Sequence, residues 1–403
     1  MYPIIRLIAA LLLMTVGGSA MYGSIVILVP VADEFGVSRG LASLPYMLFM
    51  LGFGVGGVVN GHIADRIGIL PLLLVTSLAL PLGFFAAAHA STLWQLCLAI
   101  GVLAGGFGAS TTFAPLVTDI SHWFTARRGL AVGIVISGNY LAGAVWPPIL
   151  QFFIDAHGWR ETFIGVGFFT LGSMLLLSGV LYRRPPLSHD DASPGGGQMT
   201  AAFRPLQLAP NTLQVLLCAA GLGCCIAMAM PQVHIVAYAT DLGYAAAQGA
   251  QMLSLMLASG IISRLLSGWI SDRIGGLQTL LLGSSLQCLV LAAFLTADTL
   301  TALYVLAIAF GLSQGGIVPS YAIIVRTFFP ARDAGWRIGT ALFFTMIGMA
   351  LGGWMAGALY DLTGSYQAAF INAIGFNIMN MVIAAWLLQR FRKVHTTRPV
   401  LQG

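Results

Sequence analysis

Gly61-His62-Ile63-Ala64-Asp65-Arg66-Ile67-Gly68 and Gly268-Trp269-Ile270-Ser271-Asp272-Arg273-Ile274-Gly275 decide the fold. Both octets read G-x-x-x-D-R-I-G, they stand 207 positions apart, and each closes a long apolar run. Such a recurrence at matching places means that the chain is built twice over. Outward from the octets, apolar runs fall at roughly 4–30, 40–64, 69–89, 93–120, 129–154, 161–182, 211–239, 246–271, 276–297, 299–325, 338–360 and 367–389. A spanning helix needs about 20 apolar residues, so twelve of them fit this length. Parallel repeats of spanning helices are a transporter plan in which cargo binds between the repeats near the midplane. The expected fold class is therefore an all-α membrane protein, with twelve transmembrane helices in two pseudo-symmetric six-helix bundles.

The composition agrees. Of 403 residues, 58% are hydrophobic and only 8% are charged. Soluble domains carry about 25% charged residues, so this chain has too few for a water-facing surface. The pI of about 9.1 does not point to nucleic acid, because the basic residues are scattered over short loops. Cys97, Cys218, Cys224, Cys225 and Cys288 all lie in apolar runs, spaced for neither a metal site nor a disulfide framework. No G-x-x-x-x-G-K-[ST] loop, metal-ligand cluster or nucleophile motif occurs. An enzyme is not expected, nor is a cofactor. Arg6 with Leu7 to Ala20 imitates a signal peptide, but the apolar run continues to Val29, and it reads as an uncleaved first helix.

Arginine placement gives the orientation. With both termini in the cytoplasm, the inner side holds Arg6, Arg66, Arg127, Arg128, Arg183, Arg184, Arg204, Arg273, Arg326, Arg332, Arg337, Arg390, Arg392, Lys393 and Arg398, and the outer side only Arg39 and Arg160. A multi-pass protein of a bacterial inner membrane is expected. The domains read as a first bundle over 1–182, a cytoplasmic linker over 183–210, a second bundle over 211–391 and a cytoplasmic tail over 392–403. The linker contains Arg183-Arg184-Pro185-Pro186, Asp190-Asp191 and Gly195-Gly196-Gly197, a flexible composition.

Arg264 is the remaining arginine. It stands in the otherwise uncharged run Met252 to Ile270. A charge near the bilayer centre costs at least about 2.5–3.5 kcal/mol, so it should face the protein interior or a water-filled cavity. It lies eight residues before Asp272, or ~12 Å along a helix, close to the midplane. Gly260 and Gly268, one turn either way, leave room around it. A planar guanidinium suits bidentate contact with a carboxylate. His234, in the outer part of the seventh run, is the intramembrane group that could titrate near neutral pH. It is the candidate proton carrier and a candidate substrate contact. Tyr22, Thr111, Asn139, Tyr140, Gln314 and Tyr321 are further candidate substrate contacts, polar residues near mid-span. Gly52, Gly56, Gly57 and Gly61, and likewise Gly348, Gly352, Gly353 and Gly357, form doubled small-residue patterns expected to meet across the two halves.

Over nearly its whole length the chain resembles the major facilitator superfamily, whose signature is the G-x-x-x-D-R-x-G loop after the second helix with a degenerate copy after the eighth. Trp123-Phe124-Thr125-Ala126-Arg127-Arg128-Gly129-Leu130-Ala131-Val132-Gly133, then Ser137-Gly138, Pro147-Pro148 and Gly158-Trp159-Arg160, is similar to the monocarboxylate and oxalate–formate branch. Tyr22-Gly23, Glu34-Phe35-Gly36-Val37-Ser38-Arg39 and Val233-His234-Ile235-Val236-Ala237-Tyr238 resemble its bacterial members. The resemblance implies that Arg264 binds the substrate carboxylate. It also implies that Asp65, Arg66, Asp272 and Arg273 are gating charges, with Asp119 as a partner for Arg66. Animal carriers of this branch have an Asp where this chain has Gly260, and a first-helix lysine without a counterpart here.

The expected function is secondary active transport of a small monocarboxylate, with a proton, by alternating access. The expected partners are a small organic anion, protons and the lipid bilayer, with the protein a monomer. Exchange of organic anions is the alternative. Multidrug efflux fits less well, because such pumps present an acid to cationic drugs and this chain offers a cation.

Overall fold

The computed structural model describes residues 2–124, 128–183 and 206–396. The interior of the linker (184–205), Arg127 and the last seven residues of the tail lie outside them. Eleven helical stretches are long and apolar enough to span a bilayer. They are α1 (Tyr2–Val26), α2 (Arg39–Ile67), α3 (Ile69–Ala88), α4 (Leu93–Trp123), a double-length stretch Gly129–Val180, α7 (Pro210–Asp241), α8 (Ala246–Ile274), α9 (Gly276–Phe294), α10 (Leu300–Phe328), α11 (Asp333–Thr363) and α12 (Gln367–Lys393). The double-length stretch is two helices, α5 (129–157) and α6 (159–180). Gly158 adopts φ 80° and ψ 163° between them, a conformation that only glycine takes without strain. Twelve spans result, as expected, and no strand occurs among the described residues. The outer surface is apolar, with Leu176 78% exposed and Leu289 67% exposed. Such side chains belong against lipid, because one bundle has no water-facing hydrophobic surface to bury elsewhere.

Three cavity-side helices are broken rather than smooth. In α1 the helix is interrupted at Gly18. In α4 a π-helical segment Ala99–Gly108 leads into a 3₁₀ turn Ala109–Thr112. In α10 the helix stops at Gln314 and restarts at Ile317. Irregular backbone at membrane depth is tolerated where it is covered by protein or lines a cavity, and small residues supply the breaks.

The two faces of the bundle are built differently. One face carries both D-R-I-G octets and is called here the basic face; the other is the distal face. At the basic face, Arg6 is fully buried. Its Nε and Nη2 donate to the two carboxylate oxygens of Asp119, both at 2.8 Å. Its Nη1 donates to the Tyr2 hydroxyl and the Arg183 carbonyl, and its guanidinium lies 4.9 Å from the Trp123 ring centre. The expected pairing of Asp119 with Arg66 is therefore corrected: Asp119 belongs to Arg6, and Arg66 is exposed. A buried guanidinium needs a fork of acceptors, and α4 presents the only carboxylate beside it among the described residues.

Removing Asp119 would leave this guanidinium buried and uncompensated, at a cost of about 3–5 kcal/mol. Asp119→Ala should lower the thermal unfolding midpoint of the purified protein markedly. The double variant Arg6→Leu with Asp119→Leu should recover most of that loss. Scanning fluorimetry of the three proteins checks both outcomes.

Candidate functional site

A cavity of about 120 Å³ lies between the bundles at the level of Arg264. Eight helices contribute to it: α1, α2, α4 and α5 from the first half, and α7, α8, α10 and α11 from the second. Helices α3, α6, α9 and α12 give it nothing and act as outer supports. The wall is mostly sulfur and aromatic carbon, from Met14, Met21, Met50, Met228, Met346 and Met349 together with Phe49, Phe53 and Phe113. Into this wall project Arg264, Tyr22, Asn139, Tyr140, Thr112, Gln232 and Thr345.

Arg264 is held from behind by a close approach of α10. A Cβ on Gly315 would come 2.6 Å from the Arg264 backbone nitrogen and 2.6 Å from the Gly260 carbonyl. In front, the guanidinium lies 4.5 Å from the centre of the Tyr140 ring, a cation–π contact between the two halves. The Tyr140 ring in turn fills the space beside Gly260, where a Cβ would approach to 2.4 Å of its Cε1. The Arg264 Nε has no hydrogen-bond partner. No carboxylate pairs with Arg264 among the described residues. Tyr22 donates from its hydroxyl to the Asn139 carbonyl at 3.2 Å. That leaves the Asn139 side chain at the cavity wall.

Four of the expected substrate contacts, Arg264, Tyr22, Asn139 and Tyr140, thus share one cavity. The other four stand elsewhere. His234 is fully buried and outside the lining. Its Nε2 faces the Gly353 carbonyl at 2.7 Å and its Nδ1 the Tyr366 hydroxyl at 3.0 Å. A neutral ring satisfies both, with Nε2 donating to the carbonyl and the tyrosine donating to Nδ1. Its expected contact with substrate is corrected: the imidazole pins α7 to α11. Gln314 sits behind Gln232, accepting from its amide at 2.6 Å. Tyr321 donates to Asn380 Oδ1 at 3.1 Å, and Asn380 and Asn377 bind Ser284 and its carbonyl in α9. Thr111 is buried behind the wall that its neighbour Thr112 lines. The methionines, Gln232 and Thr345 were missed, since nothing in a uniformly apolar helix tells which face meets the cavity. Thr112 sits beside Thr111, and a face assignment for α4 separates the two.

The distal face is shut across the two halves. Asp361 of α11 accepts from the Arg39 and Gly40 backbone N–H groups, at 2.8 and 2.7 Å. These are free donors of the first turn of α2, where a carboxylate is favoured. The Arg39 side chain reaches Asp241 at the end of α7, at 2.8 Å. Ser254 of α8 donates to the Ala144 carbonyl of α5. The glycine patterns meet across the halves only here: Gly353 abuts Tyr46 and Gly357 abuts the Arg39 and Gly40 backbones. Gly52, Gly56, Gly348 and Gly352 instead pack within their own halves, against α4 and α7.

Towards the basic face the same stripes separate. Gly57 and Gly61 lie on the α2 stripe of Gly54, which touches Phe343 of α11, yet both have open space beside them. So do Gly129 and Gly133 below Tyr140 on α5, Gly268 below Arg264 on α8, and Gly339 below Phe343 on α11. Asp65, Arg66, Asp272 and Arg273 are exposed, and Arg273 stacks on Trp269, 3.7 Å from its ring centre. The cavity opens to the basic face.

This geometry has known counterparts. The sequence profile of the Major Facilitator Superfamily matches residues 8–302 and 215–402. Monocarboxylate transporter 13 of Bos taurus is 29% identical over 324 residues, 80% of this chain and 74% of its own. Monocarboxylate transporter 11 of Mus musculus is 30% identical over 335 residues, 79% and 72% of the two chains. Among solved structures, a bacterial homolog of the human lysosomal transporter Spinster, inward-facing and unoccupied, superposes with a TM-score of 0.73 at 15% identity, covering 99% of each chain. A peptide transporter, POT, gives 0.72 at 13% identity, covering 98% of this chain and 95% of its own. With two bundles, a shared central cavity and these relatives, the chain is a transporter, not an enzyme, and it belongs to the major facilitator superfamily, in the group that holds the monocarboxylate transporters.

Proposed function

We propose that this protein carries a small monocarboxylate across a bacterial inner membrane by alternating access. The observation that carries the reading is the Arg264 guanidinium, which projects into the central cavity with no carboxylate partner among the described residues. The carboxylate of the cargo accepts from the guanidinium, Tyr140 and Asn139 fix its orientation, and the methionine and phenylalanine wall takes its apolar body. The relatives named as monocarboxylate transporters support that class of cargo. The basic face is cytoplasmic on the arginine distribution, and the state described is inward-open with its outer side latched. In the opposite state Asp65, Arg66, Asp272 and Arg273 close the cytoplasmic side, while Arg39, Asp241 and Asp361 part. The two bundles flank a linker over 183–210, and the carrier works as a monomer.

A charge-assisted bidentate contact is worth about 2–4 kcal/mol, or some 30- to 1,000-fold in binding. Arg264→Ala should therefore abolish uptake of carboxylates into proteoliposomes while leaving the protein inserted and folded. Arg264→Lys, with charge but no fork, should retain only a small part. Uptake at the wild-type rate in Arg264→Ala would remove the anchor from the reading.

No carboxylate, histidine or lysine lines the cavity among the described residues. A coupled proton thus travels on the cargo, taken up by the carboxylate beside Arg264 and released on the other side. The same observation favours exchange of one organic anion for another as the second reading. Vesicles loaded with buffer alone and given an acid-outside pH jump should accumulate the acid if a proton is carried. Uptake that ignores the jump and requires an internal anion identifies an exchanger.

The latch is testable separately. Asp361 is exposed, so its two hydrogen bonds contribute on the order of 0.5–1 kcal/mol each. Asp361→Asn should shift the population towards the outward-open state. Pairs of spin labels on the distal ends of α2 and α11 would read this as a longer distance component; an unchanged distribution counts against the latch.

A further inference from the structure

A second cavity lies away from the transport pathway, in the seam between α5 and α6 on the lipid-facing side. It measures about 520 Å³. One wall is a single face of α5 and the other a single face of α6. Trp146 and Phe169 close its deep end, their rings in edge contact at 5.7 Å. Gly165 forms the floor midway, with nothing within 4 Å of the place a Cβ would occupy. His157 and Glu161 stand at its distal rim. From the turn at Gly158 to Trp146 and Phe169 is eleven or twelve residues along each helix, or ~17 Å. Half of a bilayer's hydrocarbon core is about 15 Å. The seam therefore runs from headgroup level through one leaflet and stops at the midplane.

The rim carries a sign. Glu161 is exposed and no ion pair reaches it among the described residues. Its neighbour Arg160 turns inward to Glu34 and the Ala88 and Ala90 carbonyls, so it does not neutralise the rim. An ammonium is favoured at such a rim and an anion is not.

We propose that this seam is a phospholipid site: one acyl chain lies in the groove, and a primary-amine headgroup rests its ammonium on Glu161. The occupant bears on the transport machinery through Trp146, whose indole donates to the Thr15 carbonyl of α1 at 2.8 Å. One turn back, Gly143 lies against Tyr22 and Leu257. The inference does not depend on which solute is carried.

Native mass spectrometry of the delipidated full chain, titrated with dioleoyl phosphatidylethanolamine, phosphatidylcholine or phosphatidylglycerol, tests it. The wild type should retain one phosphatidylethanolamine in preference to the other two. Gly165→Trp, which plugs the groove, should weaken that binding by about tenfold or more. Glu161→Gln, which leaves the groove open, should weaken phosphatidylethanolamine by about two- to fivefold, the size of an exposed ion pair, and erase the preference. Gly375→Trp, at another glycine with open space beside it, should change nothing. Equal retention of all three lipids, or equal binding by Gly165→Trp and Gly375→Trp, overturns the proposal. So does a wild-type dimer that Gly165→Trp converts to monomer, which would make the seam an interface between copies.

Discussion

A guanidinium without a counter-ion, near the middle of a membrane protein, constrains everything around it. Desolvating an unpaired cation costs several kcal/mol even after relaxation, so the space in front of Arg264 has to stay wet or receive an anion. The Tyr140 ring at 4.5 Å offsets only part of that cost. The glycines at 260 and 315 let α5 and α10 press close without crowding the head group. The polar end of the cavity is thus small and fixed, and the remainder is conformable thioether and aromatic surface. Methionine adapts its shape to a guest at little cost, which suits a site that recognises one charged group and tolerates what is attached to it.

Arg6 shows the other solution to the same problem. It is more buried than Arg264, yet Asp119, Tyr2 and a carbonyl of Arg183 take its donors. That cluster ties α1 and α4 to the end of α6 and makes a rigid corner of the first bundle. At the far end of the molecule, Asp361 and Asp241 join the halves through partly exposed contacts. Contacts of that kind are worth little individually and break readily. The arrangement separates what must stay together from what must come apart: a fully buried pair in the corner of one bundle, and partly exposed contacts where the bundles meet.

The fold was legible because its signals are redundant. Twelve apolar runs, a repeated octet and a one-sided arginine distribution all say the same thing. Arg264 was legible because a charge in an apolar run has few excuses. The rest of the site was not, and the reason is geometric. A helix that is apolar on every side carries no periodic mark of which face meets a cavity. Thr111 and Thr112, or Gln232 and Gln314, therefore could not be sorted from sequence. His234 misled for a related reason: a titratable residue at membrane depth suggests function, but a tyrosine 132 positions away and a glycine carbonyl on α11 satisfy both its nitrogens. Asp119 found Arg6 rather than Arg66 because helix ends that are distant in sequence share a corner in space.

The tyrosine ring that fills the room beside Gly260 has an electrical consequence. It occupies the volume that an acidic side chain at that position would need, so the cavity keeps a fixed positive charge whenever it is vacant and becomes neutral when an anion is seated. The response of the proposed carrier to voltage then depends on what rides with the cargo. A unit charge moved across the whole field gains or loses about 2.3 kcal/mol per 100 mV, and only the fraction traversed on reorientation counts. A potential negative inside holds the vacant carrier with its mouth towards the cytoplasm; a cargo that brings its own proton leaves the charge in place, so both strokes feel the voltage and no net charge crosses in a cycle, whereas exchange of bare anions runs through the neutral form and is indifferent to it.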